Sequence, residues 1–211
     1  DVAPSRGLGD VYKRQAYSCA FNFLVPMAVG AHVYLLGKVP SPKILLKAFE
    51  EVKPNLILTV PLILEKIYKK MILPQLSKTT MKVALNIPLL DSRIYAQIRK
   101  KLVDAFGGRF REVIVGGAAM NEEVTNFLYK IKFPFTIGYG MTECGPLISY
   151  DHNDEYVPGS CGQILKGIMK VRIDSEDPYN KVGEIQVSGE NVMKGYYKNE
   201  EATSKVFTED G

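Results

Sequence analysis

The chain has 211 residues, of which 46% are hydrophobic, and its 27 lysines and arginines against 23 aspartates and glutamates give a net charge of +4. This composition can bury a sizeable core and argues against a disordered protein. The mild charge, without a run of lysines and arginines, argues against a nucleic-acid-binding protein.

The first fifteen residues are not expected to belong to the folded protein. Asp10 to Gln15 reads DVYKRQ, which is what a sequencing-library transposon end gives when translated. Scars of this kind are not structure, so we expect the natural protein to begin upstream of Ala16. A genuine basic N-terminal arm is the alternative.

Ala16 to Gly37 contains no charged residue. This stretch is long enough for a membrane-spanning helix to be considered. Pro26 and Gly30 interrupt that pattern, and apolar and polar residues alternate from His32 to Leu36. We therefore expect a buried helix followed by a strand, in which His32 has a hydrogen-bond partner and is not a ligand.

From Ser41 the sequence alternates between helix and strand patterns. Ser41 and Pro42 predict a helix start, Lys53 to Asn55 its end, and Leu56 to Val60 (LILTV) a strand buried on both faces. Pro61 starts a further helix, whose apolar stripe is Ile63, Ile67 and Met71. Its lysines, Lys66, Lys69 and Lys70, predict a solvated face, with contact to an anionic membrane as the alternative.

A helix from Asp91, ended by Gly107 and Gly108, is predicted next, while Gln75 to Leu90 carries too weak a pattern for an assignment. Phe110 to Val115 predicts a strand and Gly116 to Ala119 a tight turn. Asn121 then caps a helix, and Pro134 to Ile137 (PFTI) is the next strand. This alternation indicates an α/β fold with a parallel sheet and flanking helices.

After Tyr150 the pattern changes. Residues 151–158 are polar, and Met169 to Ile173 and Glu184 to Val187 alternate around Gly and Pro turns. These runs predict a small antiparallel β subdomain, followed by a short helix at Glu200 to Phe207. We therefore expect two partial subdomains, at residues 16–150 and 151–211.

The stretch from Gly138 to Gly145 reads GYGMTECG and follows the PFTI strand. Its glycines let the backbone approach a ligand closely, at the strand end where open parallel sheets bind ligands. Thr142 offers a hydroxyl to a phosphate oxygen, and Glu143 offers an oxygen ligand for Mg²⁺. A glycine-rich turn with a solvated glutamate is the alternative for these residues alone.

Three stretches together resemble ordered motifs of the adenylate-forming, AMP-binding superfamily: VIVGGAAM at Val113 to Met120, GYGMTE, and GEIQVSGENVMKGYY at Gly183 to Tyr197. This superfamily includes acyl-CoA synthetases, luciferases and the adenylation domains of peptide synthetases. The resemblance covers essentially all of Ala16 to Gly211, and overall the chain is most similar to long-chain fatty acid CoA ligases.

The resemblance implies a fragment of an incomplete adenylate-forming fold that acts on a fatty acid, ATP with Mg²⁺, and coenzyme A. Thr142 and Glu143 would be catalytic, and Glu143 would hold Mg²⁺. The implied nucleotide and adenylate contacts are Gly116, Gly117, Ala118, Gly138, Tyr139, Gly140, Met141 and Thr142. The implied acyl pocket is Val60, Pro61, Leu64, Gly117, Ile137 and Gly138. Ile137 departs from the polar residue of many relatives, which puts one adenylate contact in doubt.

Parts of the family pattern are absent from the sequence. The phosphate loop would precede Ala16, and the ribose-binding Asp, the hinge and the C-terminal domain with its catalytic lysine would follow Gly211. The chain alone is therefore expected to turn over no substrate. We expect a cytoplasmic enzyme, and peripheral contact with a membrane is the alternative. For the function, the alternatives are an adenylating enzyme for another acid and a non-catalytic nucleotide- or acyl-binding module.

Cys19, Cys144 and Cys161 are an odd set without a CxxC pair. This argues against a disulfide framework and a zinc site, and predicts buried or half-buried free thiols in a reducing compartment. Without an activating base, Cys144 is not expected to be a nucleophile.

Overall fold

A computed structural model describes residues 16–34, 36–37 and 41–209. The prediction that residues 1–15 do not belong to the folded protein lies outside this range. Within it, the fold is a parallel sheet with helices, followed by a β-rich segment, so the predicted α/β class is confirmed.

The central sheet has three strands in the order β1 (Leu56–Thr59), β2 (Glu112–Val115) and β3 (Phe135–Ile137). Both pairings are parallel, and β2 lies in the middle. Parallel neighbours need crossover connections, which the intervening helices provide. All three strands therefore end at the same edge of the sheet.

The helices that follow Ser41 and Asn121 begin where the local sequence predicts. Ser41 accepts a hydrogen bond from the Ile44 amide at 3.4 Å, and Asn121 accepts one from the Val124 amide at 3.2 Å, so both N-caps are confirmed. The helices are α1 (residues 16–28), α2 (Pro42–Val52), α3 (Pro61–Ile67, continued through Tyr68–Ile72 and Leu73–Leu76), α4 (Thr79–Ala84), α5 (Leu90–Ala105), α6 (Glu122–Lys130) and α7 (Glu200–Ser204).

The main core lies between the sheet and helices α3, α5 and α6. Val113 and Val115 of β2 are completely buried, and Phe106 and Phe135 are 1% exposed. Burial of a side chain of this size contributes about 1.5–3 kcal/mol each. The sheet is thus the rigid platform from which the following turns emerge.

The prediction for the chain before Ser41 was wrong in two respects. Residues 31–34 and 36–37 form no strand, and Leu35 lies outside the described residues. A strand is stable only with a hydrogen-bonded neighbour, and no pairing involves this segment within the described part of the chain. Helix α1 is also not buried, since Phe23, Leu24 and Met27 are each at least half exposed.

The predicted stripe of α3 was only partly right. Ile67 is 2% exposed as expected, but Met71 is 39% exposed, while Tyr68 and Ile72 are buried in its place. The helix is π-helical over Tyr68–Ile72, and the wider turn rotates the residues that follow it. The apolar face therefore shifts by one position after Ile67.

Two further predictions need a smaller correction. Strand β1 is not buried on both faces, since Ile57 is buried but Leu56 is 47% exposed at the sheet edge. The short helix ends at Ser204, before Phe207.

Two antiparallel pairs follow the parallel sheet. Strand β4 (Tyr139–Gly140) pairs with β5 (Leu147–Ser149), and β6 (Met169–Asp174) pairs with β7 (Glu184–Gly189). The second pair confirms the predicted antiparallel element after Tyr150. The first pair was not predicted, and it turns the GYGMTECG loop back along the end of β3.

Among the helices that the structure describes, none combines the length and the apolar character needed to cross a membrane.

Candidate functional site

The site begins at the carboxyl edge of the sheet, where the backbone register aligns three strand ends. Thr59 of β1 faces Val115 of β2, which faces Ile137 of β3. The next residues continue the ladder, since the Gly116 amide donates to the Thr59 carbonyl at 3.2 Å and the Gly138 amide to Val115 at 2.9 Å. Gly116 and Gly138, both predicted site residues, therefore lie at the same edge.

Gly117 is exposed and has a φ of +87°, a conformation that favours glycine. The nearest atom to a Cβ built there is Cγ1 of Val60, at 4.0 Å, so the space beside this backbone is open. Ala118, the next residue, is also exposed. A flat ligand can therefore reach the backbone of the turn directly.

Tyr17 of helix α1 packs on the other glycine of this turn. A Cβ at Gly116 would lie 3.1 Å from the Tyr17 ring. The Tyr17 hydroxyl is buried and has no hydrogen-bond partner among the described residues, and burial raises its pKa to about 12. Buried polar groups are normally paired, so this hydroxyl is a donor available beside the turn.

The GYGMTECG stretch is a hairpin arm whose close packing requires glycine. A Cβ at Gly140 would lie 1.8 Å from the carbonyl oxygen of Pro146, the residue just before the facing strand β5, whereas one at Gly138 would meet its neighbours at 3.5 Å. The side chains of Tyr139 and Met141 pack against a second, smaller core formed by Cys144, Ile148 and Met169.

Thr142 and Glu143 lie in one turn of 3₁₀ helix (Thr142–Cys144) after this arm. Thr142 is exposed, and Glu143 is half-buried. The Glu143 Oε1 atom accepts a hydrogen bond from the Tyr196 hydroxyl at 2.8 Å, which raises the pKa of Tyr196. The carboxylate is thus directed to a polar partner and does not enter the apolar core.

Residues 191–196 hold this turn in place. The Asn191 Nδ2 atom donates to the Cys144 carbonyl at 2.6 Å and to the Leu147 carbonyl at 3.3 Å. The Met193 amide donates to the Glu143 carbonyl at 2.8 Å. The third sequence motif therefore supports the second through direct hydrogen bonds.

An open cleft of about 730 Å³ lies beside Glu143. Its walls are Met141, Glu143 and Cys144, strands β6 and β7, and residues near Tyr196 and Lys205; they include Lys170 and Arg172 but not Thr142. The 116–118 turn is not part of these walls. Of the predicted nucleotide-binding residues, Met141 lines this cleft, whereas Gly116 and Gly138 lie at the sheet edge.

The predicted acyl-pocket residues lie mostly around the end of β1. Val60 is half-buried next to Gly117, and Pro61 and Leu64 are buried at the start of α3. Leu64 is 3% exposed and belongs to the main core, and Ile137 packs against that core. This group is entirely apolar.

All three cysteines are free thiols; Cys144 is buried, while Cys19 and Cys161 are exposed, contrary to the expected burial. Burial, and then the negative charge of Glu143, raises the pKa of the Cys144 thiol. A protonated thiol is a poor nucleophile, which disfavours a catalytic Cys144.

The residues present fit Mg²⁺ shared with a nucleotide. Glu143 supplies a carboxylate with one oxygen held by a single hydrogen bond, and the Thr142 hydroxyl is exposed one residue before it. Mg²⁺ in nucleotide sites commonly takes one or two carboxylates together with substrate phosphates. The open backbone at Gly117 and the unpaired Tyr17 hydroxyl fit an organic ligand at the sheet edge.

Three residues of this arrangement were missed from the sequence: Tyr17, Asn191 and Tyr196. Asn191 and Tyr196 belong to the third motif, whose resemblance could have pointed to them as site residues. Tyr17 could not have been found from periodicity, because its contact with Gly116 spans about a hundred residues.

A family model described as AMP-binding enzyme matches residues 15–197. The chain is 28% identical over 179 residues to long-chain-fatty-acid–CoA ligase 1 of Saccharomyces cerevisiae. This match covers 77% of the chain and 26% of the relative. It is 33% identical over 137 residues to 4-coumarate-CoA ligase 1 of Narcissus pseudonarcissus, covering 59% of the chain and 25% of the relative. The chain thus spans about a quarter of the length of these curated relatives.

Solved structures show the same fold. ATP-bound MatB from Rhodopseudomonas palustris matches with a TM-score of 0.65 and 23% identity, over 95% of the chain and 34% of that structure. O-succinylbenzoate coenzyme A synthetase from Bacillus subtilis, in complex with ATP and magnesium, matches with a TM-score of 0.59 and 21% identity, over 87% and 33%. The resemblance predicted from the three motifs is confirmed.

Proposed function

The chain belongs to the family of AMP-binding enzymes, and from that membership we propose that it is part of an ATP-dependent ligase that joins a fatty acid to coenzyme A. The observation that carries the proposal is the alignment of Gly116 and Gly138 at one sheet edge, followed directly by the turn with Thr142 and Glu143. Ligands of open parallel sheets bind at this edge.

The proposed reaction has two steps. A carboxylate oxygen of the acid attacks the α-phosphorus of ATP, which forms an acyl-adenylate and releases pyrophosphate. The thiol sulfur of coenzyme A then attacks the acyl carbonyl carbon, loses its proton, and AMP leaves. Both steps mainly require alignment of the reactants and neutralisation of phosphate charge.

Each residue has one role in this proposal. The Thr142 hydroxyl donates to an α-phosphate oxygen, and the backbone of Gly116 to Ala118 and of Gly138 to Met141 contacts the adenine and the acyl-adenylate. Glu143 holds Mg²⁺, which when bound supplies positive charge to the phosphates. The second core beneath Tyr139 and Met141 keeps the turn rigid.

The fatty acid is favoured by the apolar group at Val60, Pro61, Leu64 and Ile137, which offers no charged partner to a polar substrate tail. The relative from Saccharomyces cerevisiae, which matches over the larger share of the chain, is named as a long-chain-fatty-acid–CoA ligase. An aromatic acid is the second candidate, because 4-coumarate–CoA ligases match at 33% identity. The Tyr17 hydroxyl beside Gly116, which has no partner among the described residues, also favours a substrate with a polar group.

Replacing Glu143 by Ala in the enzyme that carries this chain tests the assignment. We expect acid-dependent exchange of pyrophosphate into ATP to fall roughly a hundredfold, because a charge that neutralises the transferring group is lost. Exchange is measured with palmitate and with 4-coumarate, and a higher kcat/KM for 4-coumarate would replace the fatty acid by the aromatic acid.

Glu190→Ala is the matched control, since Glu190 is exposed on the same β-rich segment. Exchange kinetics of Glu143→Ala equal to those of this control would contradict the role of Glu143. The 211-residue chain by itself is expected to show no exchange.

Residues 16–150 and 151–211 are proposed as two subdomains of this enzyme, which we place in the cytoplasm. The alternative of peripheral membrane contact rests on Lys66, Lys69 and Lys70, which are exposed on α3 together with Leu62 and Met71.

A further inference from the structure

We propose that Tyr196 is a positioning residue for Glu143: its hydroxyl fixes the carboxylate in the orientation that binds the metal of the metal–nucleotide complex. This inference rests on the proposed function, because it assigns Glu143 to the metal. Tyr196 would act only through Glu143 and would not touch the acid or the nucleotide.

The contact joins two distant parts of the chain. The Tyr196 hydroxyl donates to Oε1 of Glu143 at 2.8 Å, across 53 residues of sequence. The other oxygen, Oε2, accepts no hydrogen bond from the residues that the structure describes, so it remains available to a cation. Carboxylates that bind metals are themselves commonly hydrogen-bonded, and these outer partners fix their orientation.

Tyr196 is itself held in place by helix α7. Its backbone amide donates to the Thr203 hydroxyl oxygen at 2.9 Å, and that hydroxyl donates to the Asn199 carbonyl at 2.8 Å. Asn199 caps α7 by accepting from the Ala202 amide at 3.0 Å. The backbone that carries the Tyr196 phenol is therefore fixed by helix α7.

The backbone of Glu143 is fixed from the same segment. Its carbonyl accepts from the Met193 amide at 2.8 Å, and the neighbouring Cys144 carbonyl accepts from Asn191 at 2.6 Å. With both backbone and side chain tied to residues 191–196, the carboxylate has little freedom to turn away.

A neutral donor suits this position better than a charged one. Lys170 and Lys205 also line the cleft, and Lys205 is paired with Glu201 at 2.6 Å. An ammonium group bonded to Glu143 would repel a divalent cation at the same carboxylate, whereas a phenol orients the carboxylate without adding charge.

The test is Tyr196→Phe in the enzyme that carries this chain, because phenylalanine keeps the ring and removes only the hydroxyl. Tyr197→Phe is the matched control, since Tyr197 is 88% exposed and its hydroxyl bonds to none of the described residues. The primary measurement is Mn²⁺ affinity by electron paramagnetic resonance, in the presence of a non-hydrolysable ATP analogue.

We expect Tyr196→Phe to weaken Mn²⁺ binding roughly 10- to 100-fold, the usual effect of removing an outer partner of a metal ligand. Tyr197→Phe should bind like the unaltered enzyme. In the exchange assay, Tyr196→Phe should raise the metal concentration needed for half-maximal rate, while saturating metal restores kcat.

Glu143→Gln separates this inference from the proposed function. If Glu143→Gln leaves Mn²⁺ affinity unchanged, or if the unaltered enzyme shows no metal-dependent nucleotide binding, the metal assignment of the proposed function is overturned. If Glu143→Gln weakens binding and Tyr196→Phe does not, only the role of Tyr196 is overturned. The inference is also overturned if the kcat of Tyr196→Phe stays low at saturating metal and its urea midpoint is lowered. That result would mean that Tyr196 has only a structural role.

Discussion

At the scale of single residues, two glycines of the GYGMTECG stretch differ in how closely their neighbours approach. Gly138 lies at the sheet edge, where a methyl group would make ordinary contacts at 3.5 Å. Gly140 faces Pro146 so closely that a methyl group would overlap the carbonyl oxygen at 1.8 Å. Gly138 continues the ladder at the sheet edge, and Gly140 allows the two strands of the hairpin to meet.

We therefore expect Gly140→Ala to lower the free energy of unfolding by about 3 kcal/mol, since the backbone of β4 or β5 must move to relieve the overlap. Gly138→Ala, the matched control, should change it by less than about 1 kcal/mol. Urea unfolding followed by circular dichroism measures both. Equal midpoints for the two variants would contradict the packing described at Gly140.

At single residues, the sequence predicted the helix caps but not the pairing of short strands. Ser41 and Asn121 were recognised as caps because a cap is decided within four residues of chain. The pairing of Gly140 with Leu147 was not predicted, because the short GYGMTECG stretch carries no alternation that distinguishes a two-residue strand from a loop.

At the scale of elements, the third motif supports the second. Asn191 donates to two carbonyl groups of the 144–147 turn, and Met193 donates to the carbonyl of Glu143. The GYGMTECG stretch and the third motif were both recognised in the sequence, but these bonds were not, because they span about fifty residues of chain. Helix α3 shows the same limit, since periodicity assumes 3.6 residues per turn and its π-helical turn breaks that assumption.

Asn191→Ala should lower the free energy of unfolding by roughly 1–3 kcal/mol, because the two carbonyl groups lose their donor within the protein. Asn180→Ala is the control: among the described residues the Asn180 side chain bonds only to Asp177, on an exposed turn, so its loss should change stability little. Hydrogen exchange at the Met193 amide should accelerate in the first variant alone. Unchanged exchange there would mean that Asn191 does not hold the turn.

At the scale of the whole molecule, buried tyrosines make stability depend on alkaline pH. Burial raises the pKa of Tyr17, Tyr68 and Tyr156 from 10.0 to about 12. The unfolded chain loses these protons from about pH 10, whereas the folded protein keeps them to about pH 12. Their contribution to stability is therefore complete below pH 10 and is lost as the pH rises through 12.

We expect the free energy of unfolding to fall between pH 10 and 12, by at most about 1.4 kcal/mol per pH unit for each of these tyrosines. Urea unfolding at fixed pH values measures this slope. Tyr68→Phe should make it shallower by one tyrosine's share. A profile that stays flat to pH 12 would contradict the burial of these hydroxyl groups.

The α/β class and the meeting of two strand ends were predictable from the sequence, because alternating helices and strands permit few arrangements. The position of α1 was not predictable in the same way. Its apolar residues predicted burial, yet Phe23 and Met27 are exposed, since burial depends on what packs over a helix as well as on its composition.

The hydrogen bonds from residues 191–196 also join parts of the chain that are synthesised at different times. Residues 41–150 contain the three described strands of the parallel sheet and the turn with Glu143, but none of the donors at residues 191–196 that hold this turn. If Glu143 holds the cation as proposed, the residues that orient its carboxylate are synthesised roughly fifty amino acids later.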